Sequence, residues 1–158
     1  MDNNIEHKNL RTVLDDFSRM VIEELKNNLI SLGKNNTGNL INSLTYEIID
    51  TDNKLTVNIL GADYLKVVDK GRAPGKQPPV SKLLPWVRSK NIKIGKTPES
   101  SAFAIAKSIA DKGIKPTNVI DKTIENVKNN KMYMIENAIQ KDLYDYVINE
   151  IKNEIKNI

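Results

Sequence analysis

The chain has 158 residues, 39% of them hydrophobic and 28% charged, which is enough for one domain with a buried core. It has no cysteine, which excludes disulfides and thiolate metal sites, and a single histidine, His7, which removes most imidazole chemistry. The net charge of +4 is unevenly placed: nine basic residues and one acid, Asp69, lie between Lys66 and Lys96, so that segment carries +8 and the remainder −4.

A local cationic segment can meet nucleic acid or an acidic protein surface, or stand as a solvated, Lys-rich loop. The opening residues, MDNNIEHKN, lack the apolar core of a signal peptide. No apolar run approaches the length needed to span a bilayer. The expectation is a protein made and kept in the cytoplasm, or assembled from there into something larger, with no membrane partner. Aromatic residues make up only 5%, which suggests a modest core and a surface that needs a partner.

In chain order, the first element is an amphipathic helix over about residues 5–32. Leu10, Val13, Leu14, Phe17, Val21, Leu25 and Leu29 recur at steps of three and four and share one face. Gly33 stops it as a left-handed cap, and the polar stretch to Asn39 is turn-prone. Alternation over Leu44–Ile49 and Leu55–Leu60, with turn chemistry at residues 50–54, predicts an antiparallel hairpin with one face on the first helix. Residues 62–70 predict a short helical or irregular crossover ending at Gly71.

The stretch RAPGKQPP, Arg72–Pro79, cannot be regular structure, because three prolines fix φ and remove donors. It reads as a stiff, cationic, protruding loop. A helix over residues 80–90 follows, with Ser81 near its start and Leu83, Leu84, Trp86 and Val87 on its apolar side. Pro85 sits awkwardly in it and predicts a late start or a kink. Ile92 and Ile94 predict a short strand or an extended link ending at Gly95. Thr97-Pro98 is a helix start, with Phe103, Ala106, Ile109 and Ala110 on one face and Gly113 as the stop. Thr117 predicts a second cap, Lys128–Lys131 a break, and Met132 to about Ile155 a last helix. That last helix carries a narrow stripe of Ile135, Ala138, Ile139, Leu143, Val147, Ile151 and Ile155, read as core or intersubunit packing.

Candidate chemistry is sparse. Asp15-Asp16, Glu23-Glu24 and the pair Asp142 and Asp145 read as solvated or ion-paired helix faces rather than a metal site. No nucleophile elbow is present. GRAPGK is not a phosphate loop, since Gln77 follows Lys76 where Ser or Thr is needed. No catalytic, cofactor-binding or metal residue is expected, and no enzyme activity. Trp86 reads as a core anchor or an interface hot spot. Lys70, Arg72 and Lys76 could touch DNA phosphates without reading bases.

The pattern Tyr64-x-x-Val67-x-x-x-Gly71, a proline-rich loop, then a helix with Trp86 and Lys90-Asn91-Ile92, resembles the head–tail joining proteins of tailed bacteriophages. These are also called neck, tail-completion or connector-ring proteins. The Phe103–Ala106 helix followed by Gly113-Ile114-Lys115-Pro116 is similar as well. The match covers roughly residues 64–120, while Pro85 and the long final helix depart from the pattern. The resemblance implies an α+β subunit with a small antiparallel sheet packed by helices. It forms one domain over 1–158, with a core over 5–120 and a helical extension over about 117–158. It implies a homo-oligomeric ring of six or twelve copies in the virion neck, contacting the portal protein and other neck or tail proteins. It implies no cofactor. The interface expected from loop and helix is Arg72, Pro74, Gly75, Lys76, Gln77, Pro78, Pro79 and Trp86, with packaged DNA possible at Lys70, Arg72 and Lys76. The second reading is a small basic nucleic-acid-binding adaptor.

Overall fold

A computed structural model describes residues 7–34, 38–51 and 54–156. The order is α1 (Lys8–Ser31), α2 (Asn39–Ser43), β1 (Thr45–Thr51), β2 (Lys54–Leu60), α3 (Leu65–Lys70), α4 (Val80–Ser89), α5 (Pro98–Lys112) and α6 (Val119–Lys156). This is an α+β chain with a two-stranded antiparallel sheet, an N-terminal helix and a long C-terminal helix. It divides into two compact units. One comprises Met1–Leu25, Thr45–Leu60 and Lys122–Ile158, and the other Lys26–Leu44 and Gly61–Asp121.

In the first unit the hairpin pairs Thr45 with Leu60 through to Thr51 with Lys54. The expected turn at residues 50–54 falls in part on Asp52 and Asn53, which lie outside the described residues. Alternation sends Tyr46 and Ile48 to the half-buried side and leaves Glu47 and Ile49 exposed. Tyr46 donates its hydroxyl to Asp15 of α1 at 2.6 Å, and Arg11 of α1 pairs with Asp50 at 3.0 Å. One sheet face thus lies on the first helix, as the alternation predicts. The buried face of α1 includes Val21, Ile22 and Leu25, with Ser18 donating back to the Leu14 carbonyl.

The start of α1 is capped by another element. Asp142 of α6 accepts from the backbone N–H of Asn9 at 3.0 Å, from the Asn9 side chain at 2.7 Å and from the N–H of Leu10 at 2.8 Å. Asp142 is 4% exposed, so it is not the solvated face acid expected from its sequence neighbours. Its charge meets the donors that every helix N-terminus leaves unpaired.

In the second unit, Gly33 ends α1 with φ +66° and Gly38 precedes α2 with φ +75°. The short α2 was not expected. It buries Leu40, and Ser43 at its end accepts from the Ala62 N–H at 2.8 Å. Helices α4 and α5 pack on one another. Thr97 and Ser100 form a reciprocal capping box at the start of α5, so the cap read from Thr97-Pro98 holds.

Several expectations are corrected. The helix read over 80–90 is present as Val80–Ser89, but it does not start late: Pro79 precedes it and Pro85 lies inside it. Ile92 and Ile94 form no strand, because Asn91 turns left-handed at φ +48° and Ile92 bonds back to the Val87 carbonyl. The buried side of α5 is Ser101, Ala102 and Ala106, while Phe103 is 54% exposed. Small residues set that face, so α4 approaches α5 closely. Thr117 is not a cap, since its hydroxyl donates to the Val68 carbonyl at 2.8 Å. No break occurs at Lys128–Lys131: α6 runs unbroken for 38 residues. Lysine is a good helix former, and Asn130 bonds back to the Asn126 carbonyl, so this polar patch is a solvated turn of helix.

Burial pushes the Asp142 carboxyl up, but the donors from Leu10 and Asn9 outweigh it and hold the group below the ordinary aspartate value. A lowered folded value means the stabilisation is full above the unfolded carboxylate range and is lost as pH falls through the folded value. Asp142→Ala should therefore cost about 2 kcal/mol at neutral pH. In urea melts the gap to wild type should narrow steadily below about pH 4. A gap of the same size at pH 7 and pH 2.5 would contradict the charged cap.

Candidate functional site

The Pro/Gly loop is built on a crossing of two chain segments. Helix α3 ends at Gly71, φ +73°, and α5 ends at Gly113, φ +71°. Between them Arg72 and Ile114 form an antiparallel bridge, N to O at 2.9 Å and 2.7 Å. Each glycine is needed by the other segment. A Cβ at Gly71 would stand 2.4 Å from the Ile114 carbonyl oxygen, and one at Gly113 would stand 2.2 Å from that of Arg72. Both sites require positive φ as well, so any side chain is doubly excluded.

The loop then folds back on its own stem. Gly75 donates to the Ala110 carbonyl at 2.8 Å, which satisfies an acceptor in the last turn of α5. The Arg72 guanidinium donates to the Lys76 carbonyl, closing residues 72–76. Ala73 through Gln77 are nonetheless exposed, Pro78 is half-buried and Pro79 is exposed. Tethered backbone with free side chains is what a docking loop needs, since little freedom remains to be lost on contact.

Asp69 clamps the base of this crossing. It is 2% exposed, and its side chain accepts from the Ile120 N–H at 2.9 Å, at the start of α6. Its carbonyl accepts from Thr117 at 3.0 Å and Asn118 at 2.9 Å. Lys70 pairs with Asp121 at 2.6 Å and with Asp69 at 3.1 Å, and Asp121 first and Asp69 second raise its ammonium above the ordinary lysine value. Of the three residues expected to face DNA, Lys70 is therefore ion-paired, and the Arg72 guanidinium is hydrogen-bonded within the loop. Among the described residues, only Lys76 of these three has no partner for its side-chain charge.

Trp86 is 37% exposed and not the anchor of α4, a role that falls to Val87 at 1%. Arg88 pairs with Glu99 of α5 at 2.7 Å. The Glu99 carboxyl is held low by its own backbone N–H first and by Arg88 second. Beside this pair lies a small cleft of about 280 Å³, rimmed by Asn91, Lys93, Lys96 and Ser101. Ser101 accepts there from the Gly95 N–H at 2.9 Å.

In the other unit a more open groove of about 760 Å³ runs between α1 and β1. Its charges answer one another: Asp15 is bound by Tyr46 and Arg19, and Arg19 also reaches Asp16 at 3.4 Å. The carboxyl of Asp15 is lowered by the Tyr46 hydroxyl first and Arg19 second, and Tyr46 is raised by Asp15. Tyr46 with Asp15 and Arg11 with Asp50 tie the hairpin to α1, while Arg19 pairs within α1 and the Thr12 hydroxyl donates to the Lys8 carbonyl. Among the described residues no three His, Cys, Asp or Glu side chains converge on a possible metal position, and no buried side-chain polar atom lacks a partner. No described helix is long and apolar enough to cross a membrane.

Asp69 and Asp142 were missed as structural groups by reading the sequence. The only hint for Asp69 was its isolation as the one acid in a cationic stretch, directly before Lys70-Gly71. Nothing local marks Asp142.

Gly113→Ala tests the crossing against a control. Gly33 has the same sign of φ, but a Cβ there meets nothing within 4 Å. Gly33→Ala should cost about 1 kcal/mol. Gly113→Ala should cost about 3 kcal/mol or more in urea unfolding. Equal losses would show that the two segments part easily. No protein-family model, curated protein or solved structure matches the chain.

Proposed function

We propose that the protein is a ring-forming structural subunit of the neck of a tailed phage, where it joins the portal to the tail and continues the DNA channel. Its place would be the virion, at the head–tail interface. The observation that carries this reading is the loop over residues 72–79. Its backbone is pinned at Arg72, Gly75 and Lys76, while its side chains at 73–77 are exposed. A surface segment ordered in advance, with its side chains exposed, suits protein docking. The ordered succession that resembles the head–tail joining proteins, Tyr64 to Gly71, loop, Trp86 helix and Gly113–Pro116, is also the succession that builds the crossing. Trp86, partly exposed beside the loop helix, is the candidate hot spot.

A second reading, a basic adaptor on nucleic acid, draws on one specific observation. Lys66, Lys76, Lys82, Lys90, Lys93 and Lys96 have no acidic partner among the described residues. In that case binding would be through phosphates and steeply salt-dependent.

The ring reading expects the chain in purified virions and a closed ring in particle images. Lys76→Glu with Trp86→Ala should leave the fold intact and cut retention on the portal protein at least about tenfold. A chain that is absent from virions and is not retained on the portal would end this reading. The adaptor reading expects duplex DNA binding whose salt slope falls by about one unit on Lys76→Ala and hardly changes on Lys70→Ala. No retention on DNA at low salt would end it.

A further inference from the structure

The C-terminal half of α6 carries an apolar row with nothing described against it. Ile139, Leu143, Val147, Ile151 and Ile155 recur every four residues and are 47%, 51%, 44%, 49% and 65% exposed. The row turns about 40° per step, so Val147, Ile151 and Ile155, with Tyr144 at 65% exposure, are the members that share one face. From the helical repeat, the row one residue earlier is Tyr146, Glu150 and Glu154, and the row one residue later is Tyr144, Ile148, Lys152 and Lys156. The apolar seam thus has an acidic edge on one side and a basic edge on the other over its last two turns. None of these four charges pairs with a described residue, and all four are exposed.

We infer that this face binds the same face of further copies of the chain, with the α6 ends parallel. Two features select that occupant and that direction. First, in a parallel bundle with rotational symmetry the acidic edge of each helix lies against the basic edge of its neighbour. In an antiparallel pair like edges would meet, Glu against Glu and Lys against Lys. Second, Tyr144, Val147, Ile151 and Ile155, which share one face, offer roughly 400 Å² per copy, a contact that is small for one pair and grows as further copies close the bundle. The inference names the contact that would hold a ring together at this end, and it rests on the ring reading only for the number of copies.

The test is the mass of the full-length chain in solution across a concentration series. Wild type should weigh at least two chains, and Ile151→Lys with Ile155→Lys should weaken association at least about tenfold. Both positions are exposed, so far-UV circular dichroism should show the helix content retained. Glu150→Lys with Glu154→Lys, and separately Lys152→Glu with Lys156→Glu, should each weaken association, and an equimolar mixture of the two should restore it. A monomeric wild type, or an Ile151→Lys/Ile155→Lys variant of undiminished mass, overturns the contact. A mixture no heavier than its components overturns the parallel arrangement. An assembly that survives the isoleucine changes sinks this contact and leaves the ring reading standing. A self-associating chain that is absent from virions does the reverse.

Discussion

Two carbonyl oxygens, those of Arg72 and Ile114, occupy the space where side chains at positions 113 and 71 would be. Around that mutual exclusion the middle of the chain is assembled. The bridge fixes where α3 ends and where α5 ends, and the segment leaving the bridge has to begin the proline-rich loop. The Asp69 carboxylate then ties the same point to the start of α6. Remove the close approach and the loop loses its stem and the Gly75 bond to α5.

Carboxylates supplied from a distance recur as the way this chain starts its long helices. Asp142 sits on the first turn of α1, and Asp69 on that of α6. At α5, by contrast, the cap comes from Thr97 and Ser100 beside the helix start. A local cap stabilises a helix wherever the helix goes. A cap from another element stabilises it only in the folded arrangement, so secondary structure and tertiary contact form together. That coupling suits a protein with a small sheet and few aromatic side chains, because it adds specificity where apolar burial is modest.

This arrangement also explains what reading the residues in order could and could not supply. Features that depend on near neighbours were legible: the α1 stripe, the hairpin, the Thr97 cap, and the stops at Gly33, Gly71 and Gly113. The irregular course of Arg72–Pro79 followed from proline and glycine alone. What failed depended on partners far along the chain. Thr117 looked like a cap, but its hydroxyl is taken by Val68, 49 residues earlier. Phe103 looked like core, but alanines and a serine pack better against a neighbouring helix. Lys128–Lys131 looked like an interruption because polarity was weighed above helix propensity. The loop as a candidate site was visible in the sequence, but its hold at Gly75 and Arg72 was not, since both bonds are to backbone carbonyls that no residue type advertises.

The uneven charge of the chain, +8 in one short segment and −4 elsewhere, has a counterpart at smaller scale in the two edges of the α6 seam. In both cases unlike surfaces sit side by side on one chain. Rotation about an axis carries the acidic edge of one copy onto the basic edge of the next. In the proposed ring that match would repeat at every interface. An antiparallel two-fold contact through the same seam would instead bring like charges together. On the ring reading, charge therefore selects cyclic assembly over back-to-back pairing. On that reading, apolar burial along Tyr144, Val147, Ile151 and Ile155 would supply the association energy that exposed ion pairs, worth little each in water, cannot.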